Sequence, residues 1–404
     1  MRILLLTAGS RGDVDPFLAL AERARAAGHA VQLGVTRDFV AQGRAAGLDV
    51  AALDGDYSAL VKRQGVTGWA AMRSFRSVVR PMMASILRSA ADAALTWRPD
   101  MIVYHPKVLS APIVAARLGI PHVLVEIVPA MTPTREFPAA GVTTWDVGPL
   151  NRLTYRATVG AAGMFAGVLH EIRDALGVPR HARLPAPAVT LVPVSPTLLL
   201  RPADWPADIH ITGAWHGRTP GAQLASGLDD ELEEFLAVGP VVYAGFGSMA
   251  AGDPVARGRT VVDAARRAGY RLLAVTGWGG LDIAPDLAGD DVLVRHAVSH
   301  TSVLPRCSLA VHHAGAGTTH AVVRAGVVSI AVPFLADQPF WGALLHRRGF
   351  GAAPVRVRRL TADRLGAALA TLPDDTRVKQ AAQSMRAEDG CASALDLLER
   401  LPHR

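Results

Sequence analysis

The sequence predicts an α/β protein built from two doubly wound, Rossmann-like domains that face each other across a cleft. Short apolar runs typical of strands alternate with helically spaced segments in both halves of the chain, and this alternation predicts parallel sheets with helices on both faces. At 404 residues the chain has room for two domains of ordinary size. The alternation stops between residues 185 and 220, where proline, glycine and small polar residues accumulate, and restarts at Val241. We therefore place the join between the domains near residue 215.

Each predicted element has a local signal. Apolar residues at helical spacing run from Phe17 to Ala24 and end at Gly28, which predicts a helix after the first strand. Further helices are predicted over residues 67–97 and 229–237 and from residue 361 onward. The predicted strands are short apolar runs at residues 3–7, 30–35, 101–104, 122–127, 241–244, 271–275, 292–295, 309–311 and 328–332.

These elements divide the chain into four parts. We expect an N-terminal domain at residues 1–214, a linker at 215–228, a C-terminal domain at 229–388, and a last helix at 389–404 that packs back on the N-terminal domain. Open parallel sheets bind ligands beyond the carboxyl ends of their strands. Two facing domains place two such edges across one cleft, so functional residues are expected there.

Charge and composition argue against several classes of protein. The formal charge is +7, but the arginines are scattered, whereas a nucleic-acid-binding surface concentrates its charge on one face. The two cysteines, Cys307 and Cys391, cannot form a disulfide framework and fit a reducing cytoplasm. No apolar run reaches the roughly 18 residues that a membrane helix needs. We expect a cytoplasmic monomer or homodimer without a transmembrane segment or a nucleic-acid partner.

The segment around residues 309–319 carries the strongest functional signal. An apolar strand runs into His312 and His313, and a turn of small residues then opens a helix near Gly317. Unpaired backbone N–H groups and the positive end of the helix would meet at this turn, which favours a phosphate or diphosphate. His313 adds a side-chain donor there. No third ligand lies at zinc-like spacing, which argues against a metal site.

A pair of hydroxyl-binding side chains follows the next strand. Asp337 and Gln338 come a few residues after the run at 328–332, and both can hydrogen-bond to sugar hydroxyls. We call the turn after His313 the anion cradle and the pair Asp337 and Gln338 the sugar clamp.

A second glycine turn follows the first strand of the second half. The residues GFGSMA at 245–250 match the G-x-G-x-x-A fingerprint of dinucleotide-binding proteins, which suggests an NAD-dependent oxidoreductase as a rival function. That fingerprint also needs an acid at the end of the next strand, and residues 276–280 contain none, while Asp263 falls within a predicted helix. Gly247 and Ser248 still suit diphosphate contacts. A tight turn whose glycines serve packing alone remains the alternative.

Asp13 is the predicted general base. It follows the first strand in a loop whose other residues, Ser10, Arg11 and Gly12, would face the cleft. A hydroxyl acceptor reacts poorly unless its proton can leave during the attack, and a carboxylate can accept that proton. Asp13 could equally cap the following helix, where Pro16 suits the first turn. The two roles do not exclude each other.

Three residues are predicted to bind a nucleoside. Trp278 lies in a glycine-rich loop and could stack on a base or ribose, although an exposed loop tryptophan is the simpler reading. His296 and Val298 follow another strand, where backbone groups could bind the edge of a base.

The ordered motifs resemble the glycosyltransferases of the GT-B fold that act on sterols, macrolides and glycopeptide or polyketide aglycones, a UDP-glucuronosyl/glucosyltransferase-like family. The resemblance spans nearly the whole chain. Its motifs are GSRGDVDPF at the start, NRLTY at 151–155, DWPADIHITGAW before the linker, and then FGSM, GWGGL, HHAGAGTT and VPFLADQPFW.

The resemblance implies a nucleotide-sugar donor in the C-terminal domain, an acceptor in the N-terminal domain, and inversion at the anomeric carbon without a metal or other cofactor. It makes Asp13 the general base and Asp337 and Gln338 the binders of the donor sugar. The diphosphate contacts that it implies are Gly247, Ser248, His313, Gly315, Ala316, Gly317 and Thr318. One departure is Ala314, where relatives commonly have glycine.

We therefore expect an inverting, metal-independent glycosyltransferase that moves a sugar from a UDP- or TDP-linked donor to a hydroxyl of a lipophilic acceptor, with a macrolide or polyketide aglycone as first choice. A sterol or glycolipid acceptor is the main alternative. A nucleotide-sugar epimerase, an NAD-dependent oxidoreductase and a pure ligand-binding protein are further alternatives.

Overall fold

The chain folds into two parallel α/β units, each with its own sheet. The computed structural model describes residues 1–56, 75–217, 228–247, 249 and 251–402. The first part of the helix predicted over 67–97, most of the predicted linker and Ser248 therefore lie outside the described residues. The two doubly wound sheets confirm the predicted fold class.

The N-terminal sheet has seven strands in the order β3-β2-β1-β4-β5-β6-β7, and all its pairings are parallel. The side chains of β4 and β6 are buried throughout, because helices cover both faces of the sheet. The strands are β1 (Arg2–Leu6), β2 (Ala30–Thr36), β3 (Asp49–Leu53), β4 (Met101–Tyr104), β5 (His122–Val125), β6 (Val189–Val192) and β7 (Ile209–Ile211).

The C-terminal sheet has five parallel strands in the order β10-β9-β8-β11-β12. Its strands are β8 (Val241–Gly245), β9 (Arg271–Val275), β10 (Val292–Arg295), β11 (Leu309–His312) and β12 (Val328–Ala331).

Helices connect the strands. In the N-terminal half they are α1 (Arg11–Ala26), α2 (Val40–Ala45), α3 (Arg80–Trp97), α4 (Ala111–Leu118), α5 (Asn151–Ala162) and α6 (Ala166–Leu176). In the C-terminal half they are α7 (Asp230–Ala237), α8 (Pro254–Arg267), α9 (His300–Val303), α10 (Ala316–Ala325), α11 (Gln338–Arg347), α12 (Ala362–Ala370), α13 (Thr376–Ala387) and α14 (Gly390–Glu399). Within the described residues, no helix is long and apolar enough to cross a membrane.

Both sheets have a point where the strand order reverses, and the site lies at these points. β1 lies between β2 and β4, and β8 lies between β9 and β11, so the loops after these central strands diverge to opposite sides. Such switch points open a crevice at the carboxyl edge of the sheet. The loops that carry Asp13, Gly247 and His313 all leave strands at these edges.

The two halves pack tightly against each other. Phe137 from the loop after β5 meets Phe340 of α11 with ring centroids 5.4 Å apart, and Trp341 next to it is fully buried. The Ser195 N–H after β6 donates to Nε2 of His320 on α10 at 3.2 Å. The last helix, α14, packs against α1, and its Cys391 joins the buried cluster of the first sheet.

Candidate active site

Asp13 lies in the first turn of α1 and faces the cleft edge of the N-terminal sheet. Gly9, between β1 and α1, has φ +144°, and a Cβ on it would lie 2.1 Å from Oδ2 of Asp13 and 2.7 Å from Nζ of Lys107. Only glycine therefore fits where the chain turns from β1 beneath this carboxylate.

Four donors surround the Asp13 carboxylate. Oδ2 accepts hydrogen bonds from the backbone N–H of Ser10 at 2.7 Å and from its hydroxyl at 3.1 Å. Oδ1 lies 3.2 Å from Nε2 of His105 and 2.9 Å from Nζ of Lys107, both in the loop after β4. The bond from the Ser10 N–H shows that Asp13 does cap α1. The same side chain remains near the cleft, so capping and the predicted role as base coexist.

The ring of His105 is held in one tautomer. Its Nδ1 accepts from the backbone N–H of Lys107 at 3.1 Å, so the proton of the neutral ring is on Nε2 and points to Asp13. Burial lowers the pKa of His105, although Asp13 acts in the opposite direction. A neutral His105 therefore orients the carboxylate and does not itself accept a proton.

Opposing effects set the pKa of Asp13. Burial alone would raise it, but the positive charge of Lys107 and the hydrogen bond from His105 hold the pKa far below its usual range. The carboxylate is thus ionised at neutral pH, and it is a weak base as long as Lys107 contacts it.

The anion cradle forms where β8 and β11 end side by side. His312 closes β11 and is fully buried, with Nδ1 accepting from the N–H of Ala314 at 3.1 Å and Nε2 3.2 Å from the Ser329 hydroxyl. His312 therefore shapes the turn and does not face a ligand. Ala314 has φ +60°, a conformation that glycine adopts more readily than alanine.

The ring of His313 lies at the cradle. A Cβ on Gly315 would lie 2.5 Å from its Nε2, and one on Gly247 would lie 3.3 Å from its Cε1, so the ring lies between the two glycine turns. Burial lowers the pKa of His313 to about 4, although the nearby Gly245 carbonyl acts in the opposite direction. Nδ1 is buried and has no hydrogen bond of normal geometry.

The N-terminus of α10 completes the cradle. Its first turn contains Ala316, exposed Gly317 and half-buried Thr318, and the first N–H groups of a helix have no partner within the helix. These donors and the helix dipole lie beside His313, which suits a diphosphate. The predicted residues of the cradle are thus brought together, apart from Ser248, which lies outside the described residues.

The two residues of the predicted sugar clamp differ in how they are used. Asp337 precedes α11, and its Oδ2 accepts from Nε1 of Trp341 at 2.7 Å. Burial raises the pKa of Asp337, and the charge of Asp13 across the cleft raises it further. Gln338 is buried, and its Oε1 accepts from the Phe334 N–H at 2.8 Å while Nε2 lies 3.1 Å from Sδ of Met249.

The predicted nucleoside-binding residues lie together at the end of the C-terminal sheet. The Gly277 N–H donates to the His296 carbonyl at 3.0 Å, so the loops after β9 and β10 are adjacent. The Trp278 side chain is 47% exposed beside them and is free to stack on a ring. Val298 is buried in a hydrophobic cluster, so only its backbone could meet a ligand.

Sequence reasoning missed His105 and Lys107 beside Asp13, and also a buried acid, Glu126. His105 and Lys107 directly follow β4, the same position that identified the other loops, so the strand-end rule could have found them. Glu126 follows β5 and is fully buried, and it accepts from the Met131 N–H at 3.0 Å. Burial raises the pKa of Glu126, and a buried acid after an apolar strand carried no signal of its own.

Among the described residues, no group of three or more His, Cys, Asp or Glu side chains could hold a metal ion. The charged groups at the cleft include Asp13, Lys107 and Asp337.

Two family models match the chain. Residues 3–126 match the glycosyltransferase family 28 N-terminal domain, and residues 286–394 match the erythromycin biosynthesis protein CIII-like C-terminal domain.

Relatives match over almost the full chain. An O-mycaminosyltylonolide 6-deoxyallosyltransferase from Streptomyces fradiae is 35% identical over 99% of this chain and 97% of its own length. The sterol 3-beta-glucosyltransferase UGT80A2 from Arabidopsis thaliana is 32% identical over 98% of this chain, which spans only 64% of that enzyme.

Solved structures share the two-domain architecture. The glycotransferase of kitacinnamycin superposes with a TM-score of 0.74 at 20% identity and covers 99% of both chains. The Streptomyces sp. SF2575 glycosyltransferase SsfS6, complexed with thymidine diphosphate, gives 0.62 at 20% identity over 99% of this chain and all of that one. These likenesses confirm the GT-B fold, and with the near full-length relatives they show that the chain belongs to the GT-B glycosyltransferases of the macrolide and sterol type, hexosyltransferases that use nucleotide sugars.

Proposed function

We propose that this protein is an inverting glycosyltransferase that moves a hexose from a TDP- or UDP-linked donor to a hydroxyl of a lipophilic natural-product acceptor, a macrolide or polyketide aglycone, without a metal. The observation that supports this most is the electrostatic contact across the cleft. Asp13 of the first domain is close enough to Asp337 of the second to raise its pKa, although Lys107 acts in the opposite direction. The proposed base and the proposed sugar-binding acid would thus lie on opposite walls of one cleft.

The donor would lie in the C-terminal domain. The diphosphate fits the cradle of His313, Gly315 and the N-terminus of α10, and Asp337 would hold hydroxyls of the sugar. Preorganised donors aimed at developing charge are typically the largest contribution to catalysis, and removing one costs about 3–4 kcal/mol. The helix dipole and N–H groups would supply the stabilisation that a metal supplies in other transferases.

The acceptor would lie in the N-terminal domain. Its hydroxyl oxygen attacks the anomeric carbon, its proton passes to Asp13, and the bond to the diphosphate breaks with the electron pair going to the leaving group. Base and leaving group would lie on opposite faces of the sugar in this arrangement, which would lead to inversion.

The relatives favour a natural-product acceptor over a sterol. The Streptomyces fradiae enzyme matches this chain over 97% of its own length, whereas the chain spans 64% of the plant sterol enzyme. The sterol acceptor remains the second candidate. The NAD-dependent and epimerase alternatives gain no support from the family, and residues 276–280, directly after β9, contain no acid of the kind that NAD binding needs.

A donor and acceptor screen tests the proposal. TDP-glucose and UDP-glucose are each incubated with a macrolactone, an aromatic polyketide and cholesterol, with and without EDTA, and products are analysed by mass spectrometry and NMR. We expect a β-glycoside of the macrolactone or polyketide from the α-linked donor, at a rate that EDTA does not change. An α-glycoside, or loss of activity in EDTA that added Mg²⁺ restores, would overturn the mechanism. Transfer to cholesterol alone would overturn the acceptor class.

A further inference from the structure

The proposed base has no free acceptor position. A carboxylate offers about four lone-pair sites, and Asp13 has four donors, two on each oxygen. An acceptor hydroxyl can therefore donate to Asp13 only after one of the four donors has left. This inference rests on the proposed function, because it concerns Asp13 as the base.

Two of the four donors are fixed. The Ser10 N–H is part of the backbone at the start of α1 and donates at 2.7 Å. The ring of His105 has a side chain only 9% exposed, and its other nitrogen accepts from the backbone N–H of Lys107. Moving either donor would break a second hydrogen bond or unwind a helix end.

The other two donors can move. The Ser10 hydroxyl makes the longer contact to Oδ2, at 3.1 Å, and releases no charge when it rotates away. The Lys107 ammonium contacts Oδ1 at 2.9 Å from a side chain that is 39% exposed, and four rotatable bonds separate it from its fixed backbone. Only the departure of Lys107 would both open a lone pair and remove the charge that weakens the base.

We propose that Lys107 is a displaceable positioning residue, which holds Oδ1 of Asp13 in place and is exchanged for the acceptor hydroxyl when the acceptor binds. The exchange couples acceptor binding to activation of the base. Before the exchange, all four acceptor positions of the Asp13 carboxylate are occupied, so a water molecule cannot donate its proton there and the sugar donor is protected from hydrolysis.

After the exchange, Oδ1 of Asp13 can accept the proton of the acceptor hydroxyl. The acceptor oxygen forms its bond to the anomeric carbon, the bond from that carbon to the diphosphate oxygen breaks, and the hydroxyl proton moves to Oδ1 of Asp13. The charge of Lys107 also lowers the pKa of Asp337, so the ammonium acts on both carboxylates of the cleft. His105, Asp13 and Asp337 are the titratable groups that face it.

The kinetic test compares Lys107→Met with Lys107→Arg, which keeps the charge. The matched control is Lys379→Met, because Lys379 also pairs with an aspartate, Asp375 at 2.7 Å, on exposed α13. Release of TDP or UDP from TDP-glucose or UDP-glucose is followed from about pH 4 to 9, with water as acceptor and with the acceptors of the screen. A nearby opposite charge typically moves a carboxyl pKa by about 1–3 units.

For Lys107→Met we expect hydrolysis of the donor at neutral pH to become several-fold faster relative to transfer, because water then meets an open lone pair on Asp13 and a stronger base. The rates of donor hydrolysis and transfer in Lys107→Arg should stay near those of the wild type, and those in Lys379→Met should equal them. An unchanged ratio of donor hydrolysis to transfer in Lys107→Met overturns the proposal. Loss of turnover at every pH in Lys107→Met also overturns it, because it would make Lys107 a direct participant. No turnover by the wild type with any donor would instead refute the proposed function.

A second readout needs no turnover. The chain has three lysines, Lys62, Lys107 and Lys379, so lysine-selective isotope labelling gives few NMR signals, which Lys107→Met and Lys379→Met assign. We expect Asp13→Asn to shift the Lys107 side-chain signal and leave that of Lys379 in place. A Lys107 signal that Asp13→Asn does not change would show that the pair does not exist in solution, and the proposal would fall even if the enzyme is an active glycosyltransferase.

Discussion

Gly315→Ala tests whether the cradle depends on the close approach of His313 to the backbone. The backbone at Gly315 has φ −66° and ψ 151°, which alanine adopts without strain, so the effect of the substitution is steric. The new Cβ would lie 2.5 Å from Nε2 of His313, whereas ordinary contact begins at 3.4 Å. The ring must therefore retreat by about 1 Å, which removes its hydrogen bond to the diphosphate.

A hydrogen bond to a charged group contributes about 1.5–3 kcal/mol, so the affinity for TDP or UDP should fall about 10–100-fold. Isothermal titration calorimetry measures this directly. The matched control is Gly366→Ala in α12, where a Cβ would meet nothing within 4 Å. The control should gain up to about 1 kcal/mol in stability and bind the nucleotide as the wild type does. If Gly315→Ala binds as tightly as the control and melts at the same temperature, the placement of His313 is wrong.

Three further predictions concern pH and the nucleoside. Burial lowers the pKa of His313 to about 4, and binding of the donor diphosphate should raise that pKa so that the ring takes up a proton. The affinity for TDP-glucose should therefore rise as pH falls from about 8 to 5 in the wild type but not in His313→Ala. A wild-type affinity that does not change with pH would contradict this. Burial lowers the pKa of His312 to about 3, from about 6.5 in the unfolded chain. Between these two pH values the unfolded chain binds more protons than the folded one, so His312 destabilises the fold by up to about 5 kcal/mol as pH falls from about 6.5 to 3. A melting temperature that stays constant down to about pH 4 would refute this. Trp278→Ala should weaken the binding of TDP and UDP by about 1–3 kcal/mol and leave the binding of inorganic diphosphate unaffected. An equal loss of affinity for the nucleotides and for inorganic diphosphate would contradict stacking.

The strands that could be predicted are clear apolar runs bounded by turn residues. β4 and β9 have the predicted bounds and are almost fully buried, and the edge strand β10 also has them although it is partly exposed. β3, β6 and β7 were missed, and all three lie toward the edges of the N-terminal sheet. β3 is partly exposed and rich in alanine, and β7 has only three residues, so neither carries a clear pattern.

The site was predictable where glycine and charge follow a strand. Gly247, His313 and Gly315 converge as expected, since the register of β8 and β11 brings their ends together. The contacts of Asp13 with His105 and Lys107 depend on the neighbouring strand β4, and no local pattern shows which loops a sheet brings together. The burial of Gln338 beneath its own loop likewise depends on side-chain packing that spacing cannot reveal.

The most direct test of the account is Asp13→Asn, assayed for both transfer and donor binding. The amide keeps the shape and can still accept from the Ser10 N–H, but it cannot take the proton of the acceptor hydroxyl. General base catalysis contributes about 10²–10⁴-fold, so transfer to the best acceptor of the screen should fall by that factor. The affinity for TDP or UDP should stay within about twofold, because the cradle lies in the other domain. Transfer at the wild-type rate would contradict the central claim that Asp13 is the base, and an equal loss of nucleotide affinity would show that its effect is not on the proton.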